Sequence, residues 1–228
     1  MDELTATVLI PAFNEEESIA ATVKAAQSIS GVRQVIVVDD GSDDQTSEQA
    51  RKAGAHVIKT EKNLGKGGAL NRGLPLVKGD YLLLLDADLG ATAAEGKKLL
   101  AAVVKGQADL VIGRFPTGQK KSGLGFLLFF AQSIIRKFTG LSLSAPLSGQ
   151  RALNQRARQA LGGKFEEGFG VEVAMIIDLA RKGLVIKEIP VVMAHRKTKR
   201  DFSGFRHRGR QFLHVCAVVV KRLLQVEK

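Results

Sequence analysis

Apolar runs alternate with amphipathic segments over the first half of the chain. Five β-rich apolar runs predict strands at 5–12, 34–39, 55–60, 80–86 and 109–115. Between them lie helical patterns: Asn14 is a candidate N-cap with Glu17 closing a capping box, and the second helix follows an aspartate cap and ends at Gly54. Nearly continuous apolar strands separated by helices are typical of a parallel sheet covered on both faces. The pattern therefore predicts an α/β fold, with a doubly wound, mostly parallel sheet flanked by helices.

The second half of the chain has a less regular pattern. An amphipathic apolar stretch at 122–139 precedes a loop, a helix at about 170–182, and a strand pair at 184–195 broken at Pro190. A basic helix is expected from about residue 203 to the end. Because no linker interrupts the pattern, we expect one domain over 1–228.

Acidic loops follow three of the predicted strands, in "PAFNEEE", "DDGSDD" and "DADLG". Ligands of open α/β sheets bind at the carboxyl ends of the strands, so these loops are expected to meet on one rim. Asp86 and Asp88 stand one residue apart after a buried strand, and strand alternation would point them to the same side. Two carboxylates suit Mg²⁺ or Mn²⁺, which can also bind the phosphates of a nucleotide.

Composition narrows the class of protein. The chain is 45% apolar and 25% charged, which is ordinary for a soluble globular protein. The single Cys216 fits a reducing compartment, and the acidic start lacks the pattern of a signal peptide. The longest apolar runs are shorter than the roughly 18 residues that span a bilayer. We therefore expect a cytoplasmic protein.

Charge is divided unequally along the chain. Residues 1–113 hold 12 Lys and Arg against 16 Asp and Glu, whereas residues 114–228 hold 22 against 7. The basic excess is concentrated at 195–210, in "HRKTKRDFSGFRHRGR". The division predicts an acidic half that holds a cation and a basic half that attracts a phosphate or an anionic membrane surface.

Other classes of function are less consistent with these features. The first strand–helix turn has three glutamates and no glycine, which disfavours a nicotinamide dehydrogenase. With one tyrosine and no tryptophan, the chain offers few aromatic stacking platforms, so we expect no nucleic-acid partner. A non-catalytic basic protein that binds membranes or nucleic acid is the alternative from a different class.

Five motifs in order carry a family resemblance: "VLIPAFNEEESI", "VIVVDDGSDDQT", "NLGKGGALNRG", "LLLLDADL" and "SGQRA". Together they closely resemble family 2 glycosyltransferases of the GT-A fold. The resemblance implies a UDP- or GDP-linked sugar donor, bound mainly by residues 1–115, and an acceptor bound by residues 116–228. It assigns the nucleotide sugar to Pro11, Ala12, Asn14, Glu15, Asp40, Lys66 and Asp86. It also implies that Asp86 and Asp88 hold the metal that bridges the diphosphate.

Two subfamilies compete for the acceptor. "VIGRF" and "SGQRA" resemble polyprenyl-phosphate hexosyltransferases of the dolichyl-phosphate mannose synthase type, which implies that Arg114 and Arg151 hold a lipid phosphate. The match is incomplete, because that family usually has aspartate and phenylalanine where Ala145 and Gln150 stand.

"GFGVEVAMIIDL" and "VVMAHRK" resemble glucosyl-3-phosphoglycerate synthases instead, which implies that His195 completes the metal site. In both cases the acceptor carries phosphate, for which Arg196 would be a third donor. A lipid phosphate needs no general base, whereas a sugar-acid hydroxyl needs Glu172, another group, or the departing diphosphate. The catalytic candidates are therefore Asp88, Arg151 and Glu172.

The aromatic stretch favours the lipid acceptor. Phe126, Phe129 and Phe130 lie near Ile134 at a spacing that makes one apolar helical face. Beside basic residues such a face can dock in a membrane interface. The sequence thus predicts a metal-dependent hexosyltransferase, peripheral at the cytoplasmic membrane face, acting on a polyprenyl phosphate. Transfer to a soluble phosphorylated sugar acid is the alternative.

Overall fold

A computed structural model describes residues 4–115, 125–167 and 170–195. The strands are β1 (Ala6–Ala12), β2 (Val32–Asp39), β3 (His56–Lys59), β4 (Tyr81–Leu84), β5 (Leu110–Arg114), β6 (Arg151–Leu153) and β7 (Ile186–Pro190). The α-helices are α1 (Ile19–Gln27), α2 (Thr46–Lys52), α3 (Gly65–Gly73), α4 (Gly96–Val104), α5 (Gly125–Thr139), α6 (Gln155–Ala160) and α7 (Val171–Arg181). Two 3₁₀ segments cover Leu74–Leu76 and Ala87–Glu95.

The seven strands form one sheet in the order β3-β2-β1-β4-β6-β5-β7. Neighbouring strands run parallel except around β6, which is antiparallel to both β4 and β5. Arg151, at the start of β6, pairs with Leu84 and Ile112 at or near the carboxyl ends of those strands. The reversal brings the loop at 144–150 to the edge where ligands of parallel sheets bind.

Both faces of the sheet are buried. Adjacent residues of a strand, such as Val8 and Leu9, belong to different hydrophobic clusters because side chains alternate between the two faces. One cluster includes buried residues of α1, α2 and α4, and the other includes buried residues of α3, α5, α6 and α7. This arrangement confirms the doubly wound, mostly parallel α/β fold, and the sheet takes strands from both predicted halves.

The start of the first helix differs from the sequence prediction. Helix α1 begins at Ile19 with Ser18 in the N-cap position, so Asn14 is not its cap. Asn14 instead adopts a positive φ of 55°, a conformation that asparagine tolerates better than most residues. Its side-chain oxygen accepts a hydrogen bond from the Asp43 amide at 3.0 Å, which ties the β1–α1 loop to the β2–α2 loop.

The predicted strand pair at 184–195 is a single strand, β7, followed by residues outside the sheet. Its partner β5 ends at Arg114, opposite Pro190, and the Val191 amide makes a final bond to the Arg114 carbonyl. Beyond that point, no other strand of the described residues pairs with this segment. The basic helix predicted from residue 203 lies outside the described residues.

The predicted apolar face of α5 is divided between core and surface. Leu127, Ala131 and Ile135 are buried, whereas Phe126 and Phe129 are 70% and 67% exposed. Among the described residues, no helix combines the length and the apolar character that a membrane crossing requires.

Candidate active site

The two acidic loops after β1 and β2 are joined by hydrogen bonds. The Asn14 amide donates to Ser42 Oγ at 2.9 Å, and the Glu15 amide donates to Thr46 Oγ1 at 2.7 Å. Pro11 and Ala12 lie directly before this junction, at the carboxyl end of β1. These four residues, which the resemblance assigned to the nucleotide sugar, therefore lie on the predicted rim.

Asp40 is buried and fixes the start of α3. Its carboxylate oxygens accept the Leu64 and Gly65 amides, each at 2.8 Å, so they satisfy two N–H groups that a helix start leaves free. The Asp40 amide in turn donates to the Ala12 carbonyl at 2.8 Å. Asp40 thus positions the segment that carries Lys66, and its contact with the nucleotide sugar stays a prediction.

Asp86 and Asp88 meet through a turn rather than through strand alternation. Strand β4 ends at Leu84, and Asp86 precedes the 3₁₀ segment whose first turn contains Asp88. Thr22 Oγ1 donates to the Ala87 carbonyl and accepts from the Gly90 amide, both at 2.8 Å. These bonds fasten the turn to α1 and hold the two carboxylates on the rim.

His195 reaches the same place from beyond β7. The Ala194 amide donates to Thr92 Oγ1 at 3.2 Å, which anchors this segment to the turn after Asp88. The imidazole stacks on Phe115 with ring centroids 5.0 Å apart. Its Nδ1 lies 2.7 Å from Asp88 Oδ1.

Asp86, Asp88 and His195 together offer a ligand set for a metal ion. One potential ligand atom from each residue lies within 4.8 Å of the other two. Two carboxylates and one imidazole are hard or borderline donors, which suit Mn²⁺ and Mg²⁺. The residues present therefore fit the divalent cofactor that the sequence predicted.

Lys66 links Asp86 to Glu172. Its ammonium nitrogen lies 2.7 Å from Asp86 Oδ1 and 2.9 Å from Glu172 Oε1. Burial raises the pKa of Asp86, but the charge and hydrogen bond of Lys66 outweigh burial and lower that pKa to about 2. Burial lowers the pKa of Lys66, yet the two carboxylates outweigh it and raise that pKa above its usual value. The pair is therefore ionised at neutral pH.

Arg151 does not lie where the sequence prediction expected it. The side chain is 1% exposed, and its guanidinium donates to the carbonyl oxygens of Ser148, Glu172 and Pro146 at 2.9, 2.9 and 2.7 Å. Burial lowers its pKa to about 10, which still leaves it cationic at neutral pH. We correct the expectation: Arg151 braces the loop before β6 from inside, and this geometry does not support a phosphate contact.

The two other arginines expected to bind the acceptor phosphate are Arg114 and Arg196. Arg114 is exposed at the end of β5, next to Phe115, and Arg196 lies outside the described residues. The roles of both arginines toward an acceptor phosphate stay predictions.

Sequence reasoning missed the function of Gln150, which stood out only as a departure from the pattern of one subfamily. Gln150 is fully buried, and its amide contacts both the main chain and the carboxylate of Asp86. The glutamine at a position where that subfamily has phenylalanine was the available signal, because a side-chain amide can form hydrogen bonds to Asp86 and a phenyl ring cannot.

A mostly parallel α/β sheet, whose carboxyl rim joins a DxD pair to a histidine and a partly buried lysine, defines a nucleotide-sugar glycosyltransferase of the GT-A fold. The chain belongs to glycosyltransferase family 2: a family model described as "Glycosyl transferase family 2" matches residues 7–160.

Several glycosyltransferases are similar to this chain in sequence. The low-salt glycan biosynthesis hexosyltransferase Agl6 of Haloferax volcanii is 31% identical over 214 residues, which cover 88% of this chain and 50% of Agl6. Glycosyltransferase AglJ of the same organism is 29% identical, over 85% of this chain and 64% of AglJ. Glucosyl-3-phosphoglycerate synthase of Mycobacterium tuberculosis is 29% identical over 229 residues, covering 88% of this chain and 69% of the synthase. The chain thus spans half to about two thirds of these relatives.

Solved structures of the mycobacterial synthase share the fold. A complex with Mn²⁺, UDP-glucose and phosphoglyceric acid matches with a TM-score of 0.78 and 27% identity, covering 96% of this chain and 79% of that one. A complex with Mg²⁺ and UDP matches with a TM-score of 0.77 and 30% identity, over the same shares.

Proposed function

We propose that this chain transfers a hexose from a UDP-linked sugar to a phosphate-bearing acceptor, with a divalent ion held by Asp86, Asp88 and His195. The observation that carries the proposal is the convergence of these three side chains at one rim. A bound Mn²⁺ or Mg²⁺ would supply charge neutralisation for the diphosphate leaving group. Uridine is preferred over guanosine because the related synthase is solved with UDP and UDP-glucose.

We propose that the joined loops after β1 and β2, together with Lys66, bind the nucleotide-sugar donor. Pro11, Ala12, Asn14 and Glu15 would line the nucleotide. Lys66 stands at the first turn of α3, where its own positive charge and the positive end of the helix dipole favour phosphate. Calorimetry with UDP-glucose and GDP-mannose, with and without Mn²⁺, tests the donor. Equal affinity with and without the ion would contradict this role of the metal site.

A soluble phosphorylated sugar acid is the first acceptor candidate. The contact between His195 and Asp88 matches the expectation that follows from the resemblance to glucosyl-3-phosphoglycerate synthases, and this favours the sugar acid. Because Glu172 is already paired with Lys66, we propose that the departing diphosphate takes the proton of the acceptor hydroxyl. Arg114 and Arg196 remain as candidates for the acceptor phosphate.

A polyprenyl phosphate is the second candidate, and the exposure of Phe126 and Phe129 favours it. Large apolar side chains next to cationic residues can insert into an anionic interface. In that case the protein would act at the cytoplasmic membrane face.

One experiment separates the two acceptors. Purified protein with Mn²⁺ and UDP-glucose is offered 3-phosphoglycerate and, separately, a short polyprenyl phosphate in detergent, and products are identified by mass spectrometry. Flotation with anionic and neutral liposomes, at low and high salt, accompanies it, using Phe129→Ser as the variant. Glucosyl-phosphoglycerate formation without liposome binding supports the first candidate. Lipid product with salt-sensitive binding that Phe129→Ser weakens supports the second.

A further inference from the structure

The amide of Gln150 makes a reciprocal pair of hydrogen bonds with Asp86. Gln150 Oε1 accepts from the Asp86 main-chain amide at 2.9 Å, and Gln150 Nε2 donates to Asp86 Oδ2 at 2.6 Å. Lys66 occupies the other carboxylate oxygen, Oδ1. Each carboxylate oxygen keeps a further lone pair, so Asp86 can still ligate an ion while its orientation is fixed from two sides.

Gly149 allows this close approach. A Cβ added at Gly149 would lie 2.5 and 2.7 Å from the two carboxylate oxygens of Asp86, and it would also meet Lys66 Nζ. Carbon and oxygen atoms do not approach so closely without displacement. The Asp86–Lys66 pair therefore packs directly on bare backbone, in space that any side chain at 149 would fill.

The loop that presents Gly149 and Gln150 is anchored at its other residues. Glu188 accepts the Ser144 and Ala145 amides at 2.9 and 2.6 Å, and Arg151 donates to the Ser148 carbonyl. The Gln150 carbonyl also accepts the Gly113 amide at 2.8 Å, which extends the pairing between β5 and β6. The loop is therefore held at both ends against the sheet.

We propose that Gln150, supported by Gly149, is a positioning residue that presets the Asp86 carboxylate for the divalent ion. Gln150 does this from the antiparallel strand β6, whose start lies beside the DxD turn. The inference rests on the proposed function, because it assumes that Asp86 ligates the ion. Partners of metal ligands commonly account for about 10–100-fold in metal affinity or activity.

The test measures Mn²⁺ binding to the protein alone, by electron paramagnetic resonance titration, for Gln150→Met and Gly149→Ala. Methionine has a similar length and volume but cannot form either bond. Gln27→Leu is the control, because it removes another glutamine side-chain hydrogen bond, donated by Gln27 to the Gly54 carbonyl, away from the site. We expect the Mn²⁺ dissociation constant to rise about 10–100-fold in both site variants and to stay unchanged in the control.

A double-mutant cycle distinguishes positioning from general loss of structure. Introduced into Asp86→Asn, Gln150→Met should change the Mn²⁺ dissociation constant by less than about threefold, because the carboxylate through which Gln150 acts is already absent. Gln150→Asn, which retains the amide, is the milder variant if methionine prevents folding.

The outcomes are separable. An unchanged dissociation constant in Gln150→Met, or equal effects in the presence and absence of Asp86, would contradict the positioning role. Failure of the unsubstituted protein to bind Mn²⁺ would contradict the proposed function instead.

Discussion

Replacing Arg151 by methionine separates its buried bracing role from the phosphate-binding role that the sequence suggested. The substitution removes the three hydrogen bonds that the guanidinium donates to the carbonyl oxygens of Ser148, Glu172 and Pro146. Hydrogen bonds to a charged group contribute roughly 1.5–3 kcal/mol each, so their sum has an upper limit of about 9 kcal/mol. The desolvation of the buried cation offsets part of that sum, so the net loss of stability lies well below this upper limit.

We therefore expect the free energy of unfolding to fall by about 4 kcal/mol, a large share of the roughly 5–15 kcal/mol typical of a domain. Urea denaturation followed by circular dichroism measures it; at about 2–3 kcal/mol per molar urea, the midpoint should fall by about 1.5 M. Arg114→Met is the matched control, because Arg114 is exposed and its loss should change stability by less than about 0.5 kcal/mol. A stability loss below about 1 kcal/mol in Arg151→Met, together with a selective loss of acceptor use, would refute the bracing role.

Three further predictions concern metal binding, acceptor binding and the loss of folding stability at acid pH. Asp88→Ala should weaken Mn²⁺ binding by more than about 100-fold in calorimetry, since even outer partners account for about 10–100-fold; a smaller loss would exclude Asp88 as a ligand. Arg114→Ala should raise the acceptor KM at least about tenfold with donor affinity unchanged, and equal losses for both substrates would place it elsewhere. Asp44→Ala should cost about 1 kcal/mol at pH 7, because the Asp44 carboxylate accepts the Thr46 amide at 2.9 Å at the start of α2. Burial raises the pKa of Asp44, but hydrogen bonds to Thr46 lower it below its usual value near 3.8, so this stability is present above that pH and is lost as pH falls through the lowered pKa. Denaturation midpoints of both proteins should therefore converge in acid, and a constant difference down to pH 2 would contradict the assignment.

Much of the fold could be predicted because local patterns of apolar and polar residues determine its strands and helices. The first five strands are predicted within about two residues of their observed ends, since apolar runs of β-branched residues and leucine are typical of strands. The meeting of the acidic loops on one rim followed from parallel topology, and the resemblance supplied His195. The helix start at Ile19 was missed because Asn14 serves a bond between loops, which a capping pattern cannot reveal.

The sequence by itself determined the alternation of strands and helices, the family motifs and the presence of a carboxylate pair after β4. Only the tertiary structure decided which of the neighbouring side chains contact that pair and which support the surrounding loop. Arg151 and Gln150 are adjacent in sequence but have different roles. Arg151 braces a loop from the core, whereas Gln150 holds the Asp86 carboxylate. The physical reason is the antiparallel insertion of β6 between β4 and β5, which pairs Arg151 with Leu84 and Ile112. No local sequence pattern records a pairing between segments so far apart in the chain.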